Sequence, residues 1–307
     1  MKDCPLCKSR ENKFERFLEG YNLVKCCNCD FIFADITDAY IEEVNSQYDE
    51  KVSDFYDDKQ TILDHLWFKG IAKSFTKRLG SGKVLDIGCG NGILLSYFKK
   101  LNWDCFGIDI SPWSIEPARK YNFTLFQGRI EDLHLEGGRY DLLVSTSTLE
   151  HIAQPLAHVK EIIRLMKPGG MGFFSGIPNY ASLSIRLNIS NFYLNNPPGH
   201  VNYFTSNTIK KLFYSTNTNL KKIIIKTYGI PEFHRLYNQK KTYFQHYQNI
   251  EEKKPEKQNL IQINSNECDF RLTKDMSQNY LEFIIKLYYN LGRPFYLGDK
   301  LEVTVIK

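Results

Sequence analysis

VLDIGCGNG at residues 84–92 is a short apolar run that reaches Asp86 and then breaks into three glycines, Gly88, Gly90 and Gly92. Glycines at that spacing let the backbone turn sharply and come close to a ligand, and the helix expected from Ile93 to Lys100 offers N–H groups at its start. The stretch reads as a cofactor loop at the end of a strand. A nicotinamide-type fingerprint wants its third glycine one residue later, where Ile93 stands, so that reading fails on spacing. The bland alternative, glycines as turn punctuation alone, is decided by the neighbouring sequence.

Downstream, the apolar run Cys105–Ile108 ends in Asp109, as a second strand would if it offered a carboxylate to the two hydroxyls of a ribose. Then follow QGRIEDL at 127–133, YDLLVSTSTLEH at 140–151 and LMKPGGMGFFSGIPN at 165–179. The pattern predicts strands at 83–87, 104–108, 123–126, 140–145 and 171–176, with helices at 93–100, 113–120 and 155–166. An amphipathic helix over 59–79 comes first; a helix at 206–216 and strands at 220–227 and 301–307 close the series. Strands alternating with helices imply a mainly parallel sheet with its ligand site beyond the carboxyl ends of the strands. Every motif quoted above falls at such an end.

With four motifs in this order, the chain resembles the class I S-adenosylmethionine-dependent methyltransferases over about residues 60–227. Within them it is most similar to the branch holding ubiquinone-biosynthesis-type O-methyltransferases and many polysaccharide and sugar methyltransferases. The resemblance implies an α/β, Rossmann-like seven-stranded sheet, mainly parallel, with helices on both faces and an antiparallel last strand. It also implies that Asp86, Gly88, Gly90 and Gly92 surround the methionine and ribose part of S-adenosylmethionine, and that Asp109 holds the ribose. Arg129 and Ile130 would border the adenine, with Arg129 standing where relatives often place Asp or Asn, and Thr146 would lie near the methionine chain. Cys89 reads as a small space filler, and Glu131 and Asp132 as either adenine-side groups or a solvated turn.

Methyl transfer to a hydroxyl needs alignment and a group to take the proton. His151, just past the fourth strand of the series, and His200, in PPGHVNYFT, are the candidate bases, with Tyr203 as an assistant to His200. Each histidine has the packing or capping role as its alternative. Asn196, Pro197 and Pro198 look like the trio that amine methyltransferases use, but they follow the wrong strand, and no Pro-Cys pair offers a thiol for attack on a pyrimidine.

Five of the eight cysteines lie in the first 30 residues, and Cys4 with Cys7 and Cys26 with Cys29 form two CxxC knuckles. Two such knuckles suit one tetrahedral zinc ion; two disulfides or free thiols are the alternatives. Residues 1–34 are therefore expected to form a zinc ribbon, held by an ion whose apparent contribution is ~10–16 kcal/mol in comparable small folds. Four thiolates leave no open position, so the expected zinc is structural. Lys8 and Asp30 occupy knuckle positions where glycine is common. Residues 35–58 read as an acidic linker whose Tyr48 and Tyr56 either close on the cofactor or pack, and 59–307 as the methyltransferase domain with an insertion at about 228–297.

That insertion carries a basic and aromatic stretch at 234–258 and an apolar stripe from Tyr280 to Leu291. The first suits either nucleic acid or a solvated face, the second either a packing helix or a membrane surface. The 307 residues carry a formal charge of +5 with no charged leader and no run of about 18 apolar residues, so a cytoplasmic protein without a transmembrane segment is expected. The expected reaction is O-methylation of a small-molecule or glycan acceptor, most narrowly a sugar or polysaccharide precursor. The alternatives are sugar C-methylation, an RNA or protein methyltransferase that uses the ribbon for recognition, and a cofactor-binding regulator. The sequence leaves the oligomeric state open.

Overall fold

The computed structural model describes residues 1–18, 20–46, 62–186, 197–229 and 299–307. Tyr48, Tyr56, Asn196 and the expected insertion beyond Gly229 lie outside the described residues.

The chain opens with strands β1 (Asn12–Leu18), β2 (Tyr21–Cys26) and β3 (Ile32–Ala34), then helices α1 (Asp38–Ser46) and α2 (Ile62–Leu79). Strand β4 (Lys83–Ile87), helix α3 (Ile93–Lys99) and strand β5 (Asp104–Asp109) lead into the short helix α4 (Pro112–Ile115) and strand β6 (Thr124–Gln127). Strand β7 (Tyr140–Thr146), helix α5 (Pro155–Leu165) and strand β8 (Met166–Pro178) follow. The remainder is helix α6 (Leu183–Arg186), strand β9 (Asn202–Tyr203), helix α7 (Ser206–Tyr214) and strands β10 (Lys222–Tyr228) and β11 (Lys300–Ile306).

Seven strands form one sheet in the order β10-β11-β8-β7-β4-β5-β6. The pairings β4 with β5, β4 with β7, β5 with β6 and β7 with β8 are parallel; β11 runs antiparallel to both β8 and β10. This is the Rossmann-like architecture expected from the motif order. The pleat sorts the apolar run of β4 onto two cores, which is why the strand reads as almost continuously apolar. Val84 joins Ile71, Phe75, Leu94 and Phe98 from α2 and α3, whereas Leu85 and Ile87 join Val159, Ile162, Leu212 and Phe213 from α5 and α7.

Two elements differ from the sequence reading. The helix expected at 113–120 is one α-turn followed by a 3-10 helix over Glu116–Tyr121, because Pro117 brings no N–H to an α ladder. The strand expected at 171–176 extends from Met166 to Pro178, with a register shift against β7 between Tyr140 and Leu142 that accommodates the extra residues.

Strands β1, β2 and β3 pair antiparallel, and β9 adds a fourth strand beside β3, with Ile32 opposite Tyr203 and Phe33 opposite Asn202. The N-terminal unit thus shares a sheet with residues far along the chain. It shares a core as well: Leu6, Val24, Phe31 and Phe33 belong to the same buried cluster as β4 and α5, and the Phe31 ring lies 5.0 Å from that of Phe204. Phe31→Ala removes a fully buried ring from this joint core and is expected to cost about 3–5 kcal/mol. Denaturant titration should show one transition at a lower midpoint, rather than an early separate loss of the N-terminal strands.

Candidate active site

Strand order reverses at β4: the chain proceeds outward through β5 and β6, then returns to the other side of β4 with β7. Such a reversal leaves a crevice at the carboxyl ends of the two strands. A cavity of about 410 Å³ lies there, lined among others by Asp86, Gly88, Gly90, Asp109, Thr146 and His151. Arg129 and Ile130 border the same cavity. Of the cofactor-side and catalytic candidates singled out in the sequence, Gly92, Asp132, His200 and Tyr203 are not on its wall. Gly92 caps the start of α3 with φ 75°, and His200 lies against His151, ring centroids 4.7 Å apart.

The glycine loop is tied to the neighbouring strand end. The N–H groups of Gly88 and Cys89 donate to the Ile108 carbonyl at 2.8 and 3.0 Å, and Gly90 N–H donates to Asp109 Oδ2 at 2.8 Å. At Gly88, φ is 76° and an added Cβ would sit 2.5 Å from Thr148 Oγ1, so both backbone and space require glycine there. Asp109 Oδ1 also accepts from Ser111 N–H at 3.0 Å. A carboxylate has about four lone-pair sites, so capacity remains for ligand hydroxyls.

Asp86 is 2% exposed, and its Oδ1 is buried without a partner among the described residues. Burial, with the charge of Asp109 added, pushes its carboxyl well above the ordinary range. Burial raises Asp109 too, against the pull of its amide donors. Two desolvated carboxyls beside an open cavity make a site that favours a cationic ligand.

On the opposite wall, the 3-10 turn Leu149–His151 follows β7. His151 Nδ1 lies 2.8 Å from the Gly199 carbonyl. A carbonyl only accepts, so Nδ1 carries the proton and Nε2 is the unprotonated nitrogen of the neutral ring. Burial holds His151 below the ordinary histidine range despite that bond. Burial, then the nearby His151 and Lys300, lowers His200 to about 2, so both rings are neutral. Glu150 is 1% exposed and raised by burial to about 8, with Oε2 unpartnered among the described residues and Oε1 4.0 Å from His200 Nε2. The ligand atoms of Glu150, His151 and His200 lie within 4.8 Å of one another. The Tyr203 hydroxyl donates to the His200 backbone carbonyl at 3.0 Å rather than assisting the ring.

Several wall residues were not singled out in the sequence. Glu42 and Asn45 reach the cavity from α1, inside the stretch read as a linker; Trp67 and Phe68 come from α2, Trp113 from α4 and Lys300 from β11. Only the aromatics carried a signal, as large apolar side chains near the cofactor loop and the second strand end. Arg129 pairs with Glu42 and lies 3.6 Å from Glu131 and 3.7 Å from Asp132. Glu131 is no solvated turn residue: His158 Nδ1 is 2.8 Å from its Oε1, and although burial pushes its carboxyl up, this bond together with the charges of His158 and Arg129 leaves it below the ordinary range.

The four knuckle cysteines also come together, Cys4 Sγ 3.6 Å from Cys29 Sγ and Cys7 Sγ 3.5 Å from Cys26 Sγ, all four within 4.8 Å. A tetrahedral ion with Zn–S near 2.3 Å needs sulfurs about 3.8 Å apart, so the cage fits one. Lys8 and Asp30 adopt φ 63° and 65°, and their N–H groups return to the carbonyls of Cys4 and Cys26 at 2.9 and 3.0 Å. A non-glycine residue there costs about 1–2 kcal/mol, but both side chains are used. Lys8 Nζ bonds Gln154 ahead of α5, and Asp30 pairs with Lys25 and with Lys211 of α7.

Comparison with known proteins agrees with this geometry. A family model described as a methyltransferase domain matches residues 59–223. A ubiquinone biosynthesis O-methyltransferase of Vibrio parahaemolyticus is 38% identical over 100 residues, 30% of this chain and 43% of that protein. Its counterpart in Acinetobacter baylyi is 36% identical over 107 residues, 32% of this chain and 45% of that protein. The chain thus spans less than half the length of these relatives. A SAM-dependent methyltransferase of Thermotoga maritima superposes with a TM-score of 0.50 at 16% identity, covering 84% of this chain and 97% of that one, a likeness of fold. No described helix is long and apolar enough to cross a membrane.

A carboxyl with a raised folded pKa destabilises the folded chain as pH climbs from the unfolded value, about 3.9, toward the folded one. Asp86→Asn removes this loss. Thermal melts of the ligand-free chain at pH 7 should rise by roughly 2–4 °C for each kcal/mol regained, while variant and parent should converge near pH 4.

Proposed function

Since the chain belongs to the methyltransferase-domain family, matched over more than half its length, we propose that it transfers the methyl group of S-adenosylmethionine to an oxygen of a small-molecule or glycan acceptor. The acceptor we favour is a sugar or polysaccharide precursor. The observation that carries the reading is the cavity at the strand-order reversal, lined by Asp86, the glycine loop, Asp109 and His151 together. The unpartnered, desolvated Asp86 carboxylate fits the cofactor's ammonium group. Bound there, S-adenosylmethionine supplies an activated sulfonium methyl.

In this reading Asp86 orients the methionine end, with Thr146 beside the chain, and Asp109 accepts from the ribose hydroxyls on its remaining lone pairs. Gly88, Gly90 and Gly92 keep the backbone low enough for that approach. Ile130 borders the adenine, and Arg129 acts indirectly by anchoring Glu42 of α1 over the same end. His151 takes the acceptor's hydroxyl proton on Nε2, the nitrogen that the Gly199 carbonyl leaves unprotonated. His200 supports His151 by packing edge-on against it from behind the wall. The aromatic wall of Trp67, Phe68 and Trp113 suits the flat face of a ring. Cys4, Cys7, Cys26 and Cys29 hold one structural zinc, for which the sulfur spacing is the support.

Three outcomes test these assignments. His151→Ala should lower turnover by about 10²–10⁴ with little change in cofactor affinity measured by calorimetry, and His200→Ala by less. The purified chain should contain one zinc per protein by elemental analysis, lost in Cys4→Ser. Labelled methyl transferred into fractionated cell extract should resist nuclease and protease and be released with glycosidase-sensitive or nucleotide-sugar material; release by nuclease would instead select an RNA acceptor.

A further inference from the structure

The turn that presents His151 is too short to hold its own shape. Leu149–His151 is a single 3-10 turn, whose hydrogen-bond geometry is poorer than that of an α-helix. Yet each of four successive carbonyls along it accepts a hydrogen bond from elsewhere. Asn202 Nδ2 donates to Leu149 O at 2.8 Å and to Ile152 O at 2.7 Å; Val201 N–H donates to Glu150 O at 2.8 Å; and Asn45 Nδ2 donates to His151 O at 2.8 Å. The ring itself is fixed through Nδ1 on Gly199 O.

Every one of these donors is placed by the N-terminal unit. Asn45 stands on α1, the helix that directly follows the cysteine strands. Val201 offers its carbonyl to Ala34 N–H at 2.9 Å, and Asn202 sits opposite Phe33 where β9 extends the β1-β2-β3 sheet. A strand of two residues has no stability alone and exists because β3 gives it a partner. Asn202 has both amide hydrogens engaged at one end while its backbone lies in the N-terminal sheet; it is 3% exposed, so loss of those bonds is not replaced by water.

We propose that the four-cysteine unit is an integral part of the acceptor side of the active site, with Asn202 and Asn45 as positioning residues that hold the His151 turn against the cavity. This rests on the reading of His151 as the group that serves the acceptor. The unit then has a role that no docking of a separate partner is needed to explain: it completes the site of its own chain. Displacement of a reacting group by about 1 Å costs up to 10²-fold in rate, so the effect of loosening the turn is measurable.

The test is a double-mutant cycle on the full chain, with turnover read as labelled methyl transferred from S-adenosylmethionine into the glycan and nucleotide-sugar fraction of cell extract, and cofactor Kd by calorimetry, for each protein. Asn202→Ala and Asn45→Ala should each lower turnover by about 10- to 100-fold while cofactor Kd stays within about twofold. In a His151→Ala background neither should lower turnover further, because a residue that acts by placing His151 has nothing left to place. An equal loss in both backgrounds, or an unchanged turnover in folded Asn202→Ala and Asn45→Ala proteins, overturns the proposal. The premise has its own readout: unchanged turnover in His151→Ala alone removes the role of His151 and leaves nothing to position. Asn45→Ala, which touches no strand, keeps the question decidable if Asn202→Ala fails to fold.

Discussion

The parallel pairing of β4 with β5 on one side and β7 on the other is the constraint on which the site depends. It ends three strands at one level and parts their following loops, so the glycine turn, the Asp109 carboxylate and the His151 turn face each other across one crevice. It also places Asp86 between two strands, out of reach of water. A carboxyl in that position is held unfavourably until a positive group arrives, and the same desolvation that costs stability strengthens the attraction when one does.

The cysteine strands obey the same logic of shared burial. Some thirty residues bury too little apolar surface to fold alone, and only part of the burial of these strands comes from within the unit. The rest comes from the larger fold: Phe31 and Phe33 enter its core, β9 takes the open edge of β3, and Lys211 donates to the Cys29 carbonyl at 2.8 Å. The left-handed Lys8 and Asp30 fit this picture, since glycine would relax each knuckle but would give up a tie to the catalytic fold.

Much of the fold was legible because its elements are periodic and its turns chemically specific. Val84–Ile87 and Cys105–Asp109 announce strands that end in carboxylates, Gly88 and Gly92 mark positions that exclude side chains, and two CxxC pairs announce one cage. The clamp on the His151 turn was not legible. Strand β9 is two residues long, below any period, and Asn202 and Asn45 are ordinary polar residues until folding sets them beside carbonyls 50 and 106 positions away in the chain. Arg129 was legible in part for a related reason: its motif position put it at the cavity, while its pairing with Glu42 has no signal in sequence order. The length of α4 turned on Pro117, whose missing N–H matters only once the preceding turn has formed.

Strand β11 lies inside the sheet, between β8 and β10, although it is the last of the described strands in sequence. Synthesis therefore produces β8, and much later β10, without the partner that joins them. Residues 300–306 must leave the ribosome before the free edge of β8 can be covered, and Ile177, Phe174 and Met171 gain Leu301, Val303 and Ile306 as cross-strand neighbours only then. Between those two points the nascent chain carries an open, apolar sheet edge, a state that invites pairing with other chains.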